Sequence, residues 1–146
     1  RVMDDPSGAV RGAQIIVTAT DSHRPVFPGM AVDPGVHVNA VGAYTPTMRE
    51  VDGDLVAKAK VVVDARATVL SEAGDLVHAI AEKVFSFDEI YAELGEVVAG
   101  SVPGRESSDE VTLFKSVGNA AQDVSVAGRV LGEAERLGVG TVVELS

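Results

Sequence analysis

The sequence contains no cysteine, which excludes disulfides, thiolate metal centres and cysteine nucleophiles together and suits a reducing cytosol. No apolar stretch approaches the ~20 residues needed to span a bilayer, and no charged-then-apolar leader precedes the first strand-like run. The expectation is a cytoplasmic protein with no membrane partner. Basic residues are scarce, with 12 Lys and Arg against 22 Asp and Glu, and the formal charge is −10. Without a local Lys/Arg cluster to offset that field, nucleic acid is not an expected partner. Also missing are Gly-x-Gly-x-x-Gly, a phosphate loop ending in Gly-Lys-Ser/Thr, and Gly-x-Ser-x-Gly, so the chain has no self-sufficient nucleotide or hydrolase signature. It opens Arg1-Val2-Met3-Asp4 without an initiator Met, in what reads as the tail of a helix, and is expected to be part of a longer protein.

What is present fits one domain of 146 residues. Gln14–Thr20, Val36–Val41 and Lys60–Asp64 are short apolar runs rich in β-branched residues, bounded by Gly, Pro or Asp, and read as strands. The first and third are almost continuously apolar, the pattern of strands covered on both faces in a parallel sheet flanked by helices. The fold class expected is therefore open α/β. His23–Gly35, with Pro25, Pro28, Pro34, Gly29 and Gly35, reads as a long loop. Glu50–Ala59 carries Val51, Leu55, Val56 and Ala59 near helical spacing and reads as a short crossover helix.

Beyond the third strand the pattern turns helical over Ala67–Ala73, Asp75–Glu82 and Asp88–Val98, punctuated by Gly74 and stopped by Gly100. Ser101–Asp109 is a polar loop before a further strand, Val111–Lys115. Gly118–Leu137 places Ala120, Val124, Ala127, Leu131 and Ala134 on one face and is the strongest helix, halted by Gly138 and Gly140. Thr141–Leu145 reads as a closing strand with no partner in this chain.

Ligands of open parallel sheets bind beyond the carboxyl ends of the strands, here Thr18, Ala19 and Thr20, then Val41, Gly42 and Ala43, and Asp64. Small residues let a flat ring approach the backbone, and threonine hydroxyls bond phosphate, ribose or amide groups. Equally, Thr suits strands and Gly turns chains. The junction through Ser116, Val117 and Gly118 sends a strand into a helix, where free N–H groups hold an anion or carboxamide, or where Ser116 merely caps the helix. His23, His37 and His78 share no ligand spacing, so no metal site is expected from them. Glu72 and Asp75 lie around Gly74, and Glu89, Glu93 and Glu96 form a charge run; both sets read as solvated acids unless a pocket claims one.

Several motifs resemble those of one family in the same order. IIVTAT is followed by PVFPGMAVDPGVHVNAVGAYTPTMREVD, then ELGEVVAG, DEVTLFKSVG and AAQD, over nearly the whole chain. This set is similar to the ornithine cyclodeaminase/mu-crystallin family. The resemblance implies a subunit with a dimerisation domain and a Rossmann domain holding NAD or NADP. This chain would then supply the carboxyl-terminal half of the Rossmann domain (1–117) and a long helix and strand returning to the dimerisation domain (118–146). It further implies that Thr18, Ala19, Thr20, Val41, Gly42, Ala43, Ser116 and Val117 line the nicotinamide-proximal part of the cofactor site, and that the complete protein is a homodimer acting on a small amino or imino acid.

In the family's cyclodeaminases, Gly-Gly-Asp or Gly-Ala-Asp follows the second of these strands, whereas this chain has Gly42-Ala43-Tyr44. A phenol with pKa near ~10 is a poor general base at neutral pH. The resemblance therefore implies an alanine dehydrogenase or cyclic imine reductase rather than an ornithine cyclodeaminase, with a mu-crystallin-like NADPH and ligand binder as the non-enzymatic alternative. It makes Tyr44 and Glu72 candidate pocket residues. The main substrate-binding residues, and the group that distinguishes NAD from NADP, are expected upstream of Arg1.

Overall fold

In the computed structural model, which describes residues 2–144, five strands form one sheet in which every pairing is parallel. They are β1 (Ile15–Thr18), β2 (His37–Ala40), β3 (Lys60–Val63), β4 (Ala92–Glu93) and β5 (Thr112–Lys115), in the order β1-β2-β5-β3-β4. The helices are α1 (Pro6–Val10), α2 (Gly53–Lys58), α3 (Arg66–Glu72), α4 (Gly74–Ala81), α5 (Leu94–Val98) and α6 (Ala120–Leu137). The pairs Thr18↔Ala40, Ala40↔Lys115 and Val63↔Lys115 align the carboxyl ends of four strands along one edge of the sheet.

One sheet face carries the core. Ile16, Val38, Val61, Val63 and Leu113 are buried in one cluster with Leu55 and Val56 of α2 and Leu76 and Ala79 of α4. The other face is only partly covered: Ile15 is 65 % and Val17 63 % exposed. Double cover, expected from the continuous apolar runs of β1 and β3, is therefore not found among the described residues. Burial alternates along both strands because the second face is left open at β1 and only partly covered at β3. On the second face α5 leaves a cleft of about 550 Å³ between Leu94, Val97, Val62 and Phe114.

Several element boundaries differ from the sequence reading for local reasons. Glu50 does not begin the crossover helix. The Asp52 carboxylate accepts from the Leu55 N–H at 3.0 Å and caps α2, leaving Glu50 outside it and fully buried. Asp88–Val98 is not one helix. Two capping boxes, Ser86 with Glu89 and Glu93 with Glu96, start separate turns, and between them the Tyr91 N–H donates to the Val61 carbonyl at 2.9 Å and draws Ala92–Glu93 into the sheet. The supposed charge run Glu89, Glu93, Glu96 is thus a set of helix-start acceptors. The chain does not open on a helix tail either, since α1 has its own cap, Asp5, accepting from Ser7 and Gly8 N–H at 3.1 and 2.9 Å; Arg1 lies outside the described residues.

α6 begins at a cap formed by Asn119, not Ser116, and has no buried residue; Val124 is 71 % and Leu131 61 % exposed. Its apolar stripe has no partner among the described residues. Thr141–Glu144 form no strand, because a strand requires a paired neighbour and no described segment supplies one; Leu145 falls outside the described residues. No helix of the described residues is long and apolar enough to cross a membrane.

Candidate functional site at the carboxyl edge of the sheet

Beyond the last β1–β2 backbone bond, Val41 N–H to the Thr18 carbonyl at 3.0 Å, the two chains are joined by one carboxylate. Glu50 Oε1 accepts from the Thr20 N–H at 2.5 Å and the Thr20 hydroxyl at 2.8 Å. Its Oε2 accepts from the Thr18 hydroxyl at 3.0 Å, the Gly42 N–H at 2.7 Å and the Ala43 N–H at 3.2 Å. Burial opposes the charged form of Glu50, but the donors from Thr20, Gly42 and Thr18 outweigh it and hold the carboxyl below its ordinary range. Gly42 is obligatory here, since a Cβ would collide with the Thr20 carbonyl and with Glu50 Oε1.

Glu50 is itself fixed from behind. Asp75 Oδ1 accepts the backbone N–H of Glu50 at 2.7 Å and of Val51 at 3.0 Å, and Asp75 Oδ2 lies 2.9 Å from Lys115 Nζ. Lys115 also donates to the Ala40 carbonyl at 3.2 Å. Glu50, Asp75 and Lys115 are all at 0 % exposure, a chain of buried charges running under the carboxyl ends of β1, β2 and β5. Sequence reading missed Glu50 and Lys115 and took Asp75 for a solvated acid. Strand alternation carried a usable signal: with Leu113 on the core face, Lys115 two residues on shares that face.

A second carboxylate organises the next lip. Asp64, just beyond β3, accepts at Oδ2 from the Ser116 hydroxyl and from the Val117 and Gly118 N–H groups, each at 2.9 Å. Ser116 therefore does not cap α6, and the N–H groups at this junction are already engaged. From Asp64 an open groove of about 730 Å³ runs between α5 and the start of α6, past Asn119, Gln122 and Ser125.

The structure gathers Thr18–Thr20, Val41–Ala43 and Ser116–Val117 along this single edge. Thr18 and Ser116 are buried with hydroxyls turned to Glu50 and Asp64, while Ala19, Thr20 and Val41 are exposed, the Thr20 hydroxyl also turning in to Glu50. Tyr44 follows directly and is 57 % exposed. Glu72 is exposed at the end of α3, with no hydrogen bond among the described residues, and is not joined to this network. What the edge offers outward is small side chains, one phenol and backbone. The N–H groups of Thr20, Gly42, Ala43, Val117 and Gly118 are taken up by internal carboxylates, and Glu50, Asp64 and Asp75 outnumber Lys115. Such a surface suits a flat, uncharged or cationic ring and disfavours phosphate.

The profile of the ornithine cyclodeaminase/mu-crystallin family matches residues 1–137. The chain is 46 % identical over 144 residues to a Delta(1)-pyrroline-2-carboxylate reductase of Bacillus cereus, covering 98 % of this chain and 44 % of that protein. Among solved structures it is similar to Thermococcus litoralis Delta(1)-pyrroline-2-carboxylate reductase in complex with NADH and L-proline, with TM-score 0.88 at 40 % identity over 97 % of this chain and 44 % of that one. It is also similar to an archaeal alanine dehydrogenase dimer with bound NAD, with TM-score 0.83 at 36 % identity over 98 % of this chain and 44 % of that one. The chain thus spans less than half the length of these relatives.

Proposed function

The chain belongs to the ornithine cyclodeaminase/mu-crystallin family, and from that premise we propose that it is the ring-binding part of an NAD(P)-dependent reductase or dehydrogenase of small 2-amino or cyclic imino acids. The observation that carries this reading is the carboxyl edge itself. Thr18–Thr20, Val41–Ala43 and Ser116–Val117 converge there, and Glu50 and Asp64 take up their N–H donors, so the edge fits a nicotinamide ring and not a pyrophosphate. The absence of a glycine-rich phosphate turn from the sequence agrees with that division. When bound, the cofactor supplies or accepts the hydride exchanged at the α-carbon. The protein's part at this edge is to present Ala19, Val41 and Gly42 as a flat floor and to exclude water behind it with the buried Glu50–Asp75–Lys115 chain.

Tyr44 stands where cyclodeaminases carry an acid, which supports reduction or oxidation over ammonia elimination. We assign residues 118–146 to a link with a dimerisation domain, because α6 buries none of its apolar stripe among the described residues, and the complete protein is proposed to be a homodimer. The test is consumption of NADH or NADPH by the complete protein with Delta(1)-pyrroline-2-carboxylate, and with pyruvate plus ammonia. The expected result is turnover with at least one pair. Tight cofactor binding with no turnover on either would overturn the enzyme assignment in favour of a ligand-binding protein, and release of ammonia from ornithine would overturn the choice of reaction.

A further inference from the structure

We infer that Glu50 is a positioning residue for the ring end of the dinucleotide, clamping the divergent ends of β1 and β2 at the spacing that a nicotinamide ring needs; this rests on reading the carboxyl edge as the ring seat. Parallel strands separate once their ladder ends, and no β1–β2 backbone bond is present beyond Val41 to Thr18. The pairing is nonetheless prolonged, because the next donors on each side, Thr20 N–H and Gly42 N–H, converge on the two oxygens of one side chain at 2.5 and 2.7 Å. Thr18, Thr20 and Ala43 supply three further donors to the same carboxylate.

Only an ionised carboxylate accepts at both ends of such a site. A glutamine in either amide orientation would point its NH₂ at a backbone N–H, of Thr20 on one side or of Gly42 and Ala43 on the other. Stability alone gives a weak reason for this arrangement, since a buried ionic cluster is generally no better than well-packed apolar residues. Its specific product is geometric: two outward-facing backbone segments held rigidly side by side, with no room at Gly42 for a Cβ.

The test uses the complete protein and its Glu50→Gln variant, with NADH and NADPH titrated by fluorescence and ADP-ribose and its 2′-phosphate as matched probes lacking the ring. Loss of charge-assisted bonds at the clamp is expected to raise the NAD(P)H Kd roughly tenfold or more while ADP-ribose binding changes by less than about twofold. In the cofactor-free variant, amide hydrogen exchange is expected to accelerate at Thr20, Gly42 and Ala43 and to stay unchanged in β3. Thr18→Val provides a second variant: the buried Thr18 hydroxyl donates to Glu50 Oε2 at 3.0 Å, so losing it removes one donor of the clamp and should give a smaller effect of the same kind. Equal weakening of both probes, or no change in either, overturns the inference while leaving the proposed function standing. Failure of the unaltered protein to bind any of the four probes overturns both.

Discussion

Replacing Lys115 by Met tests the buried charge chain most directly. Asp75 Oδ1 retains the Glu50 and Val51 N–H groups at 2.7 and 3.0 Å, but among the described residues Oδ2 faces a single cation, Lys115, at 2.9 Å, and both side chains are at 0 % exposure. Met fills most of the lysine's volume, so the cavity contribution is small and the cost is that of an uncompensated buried carboxylate, about 3–5 kcal/mol. With a urea slope near ~2 kcal/mol per M, even the lower figure moves the unfolding midpoint down by about 1.5 M. Adding Asp75→Asn removes the stranded charge while keeping an acceptor for the two N–H groups, so the double variant should recover part of the loss, by roughly 1–3 kcal/mol. The assay is urea denaturation of the single variants and the double variant, followed by a probe in this domain. A Lys115→Met cost below about 1 kcal/mol, or strict additivity of the two substitutions, would refute the claim that these groups form one coupled buried unit.

Acid should act on Glu50 with a defined sign. Its folded-state pKa lies below its ordinary 4.5, so its contribution to stability is complete above that value and is lost as pH falls through the folded pKa. Melting temperature measured downward from pH 5 should fall, and Glu50→Gln should flatten part of that decline; an unchanged slope would contradict the assignment. Gly74→Ala sets helix propensity against packing. Propensity alone favours Ala in α4 by up to ~1 kcal/mol, but a Cβ at Gly74 would collide with the Met48 carbonyl and crowd that of Thr45, so a net loss of about 1–3 kcal/mol is expected in thermal melts. Finally, the 146-residue chain alone, with Ile15 and Val17 more than 60 % exposed on the edge strand, should self-associate in sedimentation velocity, and Val17→Lys should reduce this; a stable monomer at high concentration would be the contrary result.

Much of the molecule was legible from residue order. Apolar β-branched runs bounded by turn residues located four of the five strands, because a strand buried on at least one face must be apolar at those positions whatever surrounds it. Gly100 and Gly138, both in the left-handed region, marked helix ends for local conformational reasons, whereas Gly74 opens α4 at a close approach to the Met48 and Thr45 carbonyls. β4 escaped notice because only a two-residue strand holds it to the sheet, within a stretch whose composition favours helix. Propensity has no access to that long-range pairing.

The family, the open α/β class and the stretches that form the carboxyl edge followed from the sequence, since ordered motifs and strand periodicity are properties of the chain itself. The tertiary structure decided which side chains do the holding. Glu50, Asp75 and Lys115 lie far apart in sequence, and apart from the strand alternation that puts Lys115 on the face of Leu113, nothing in their local neighbourhoods distinguishes them from solvated charges. The parallel register sets the ends of β1, β2 and β5 side by side, and the packing of α4 and of the segment before α2 against them brings Asp75 and Glu50 to Lys115 in a place that water does not reach.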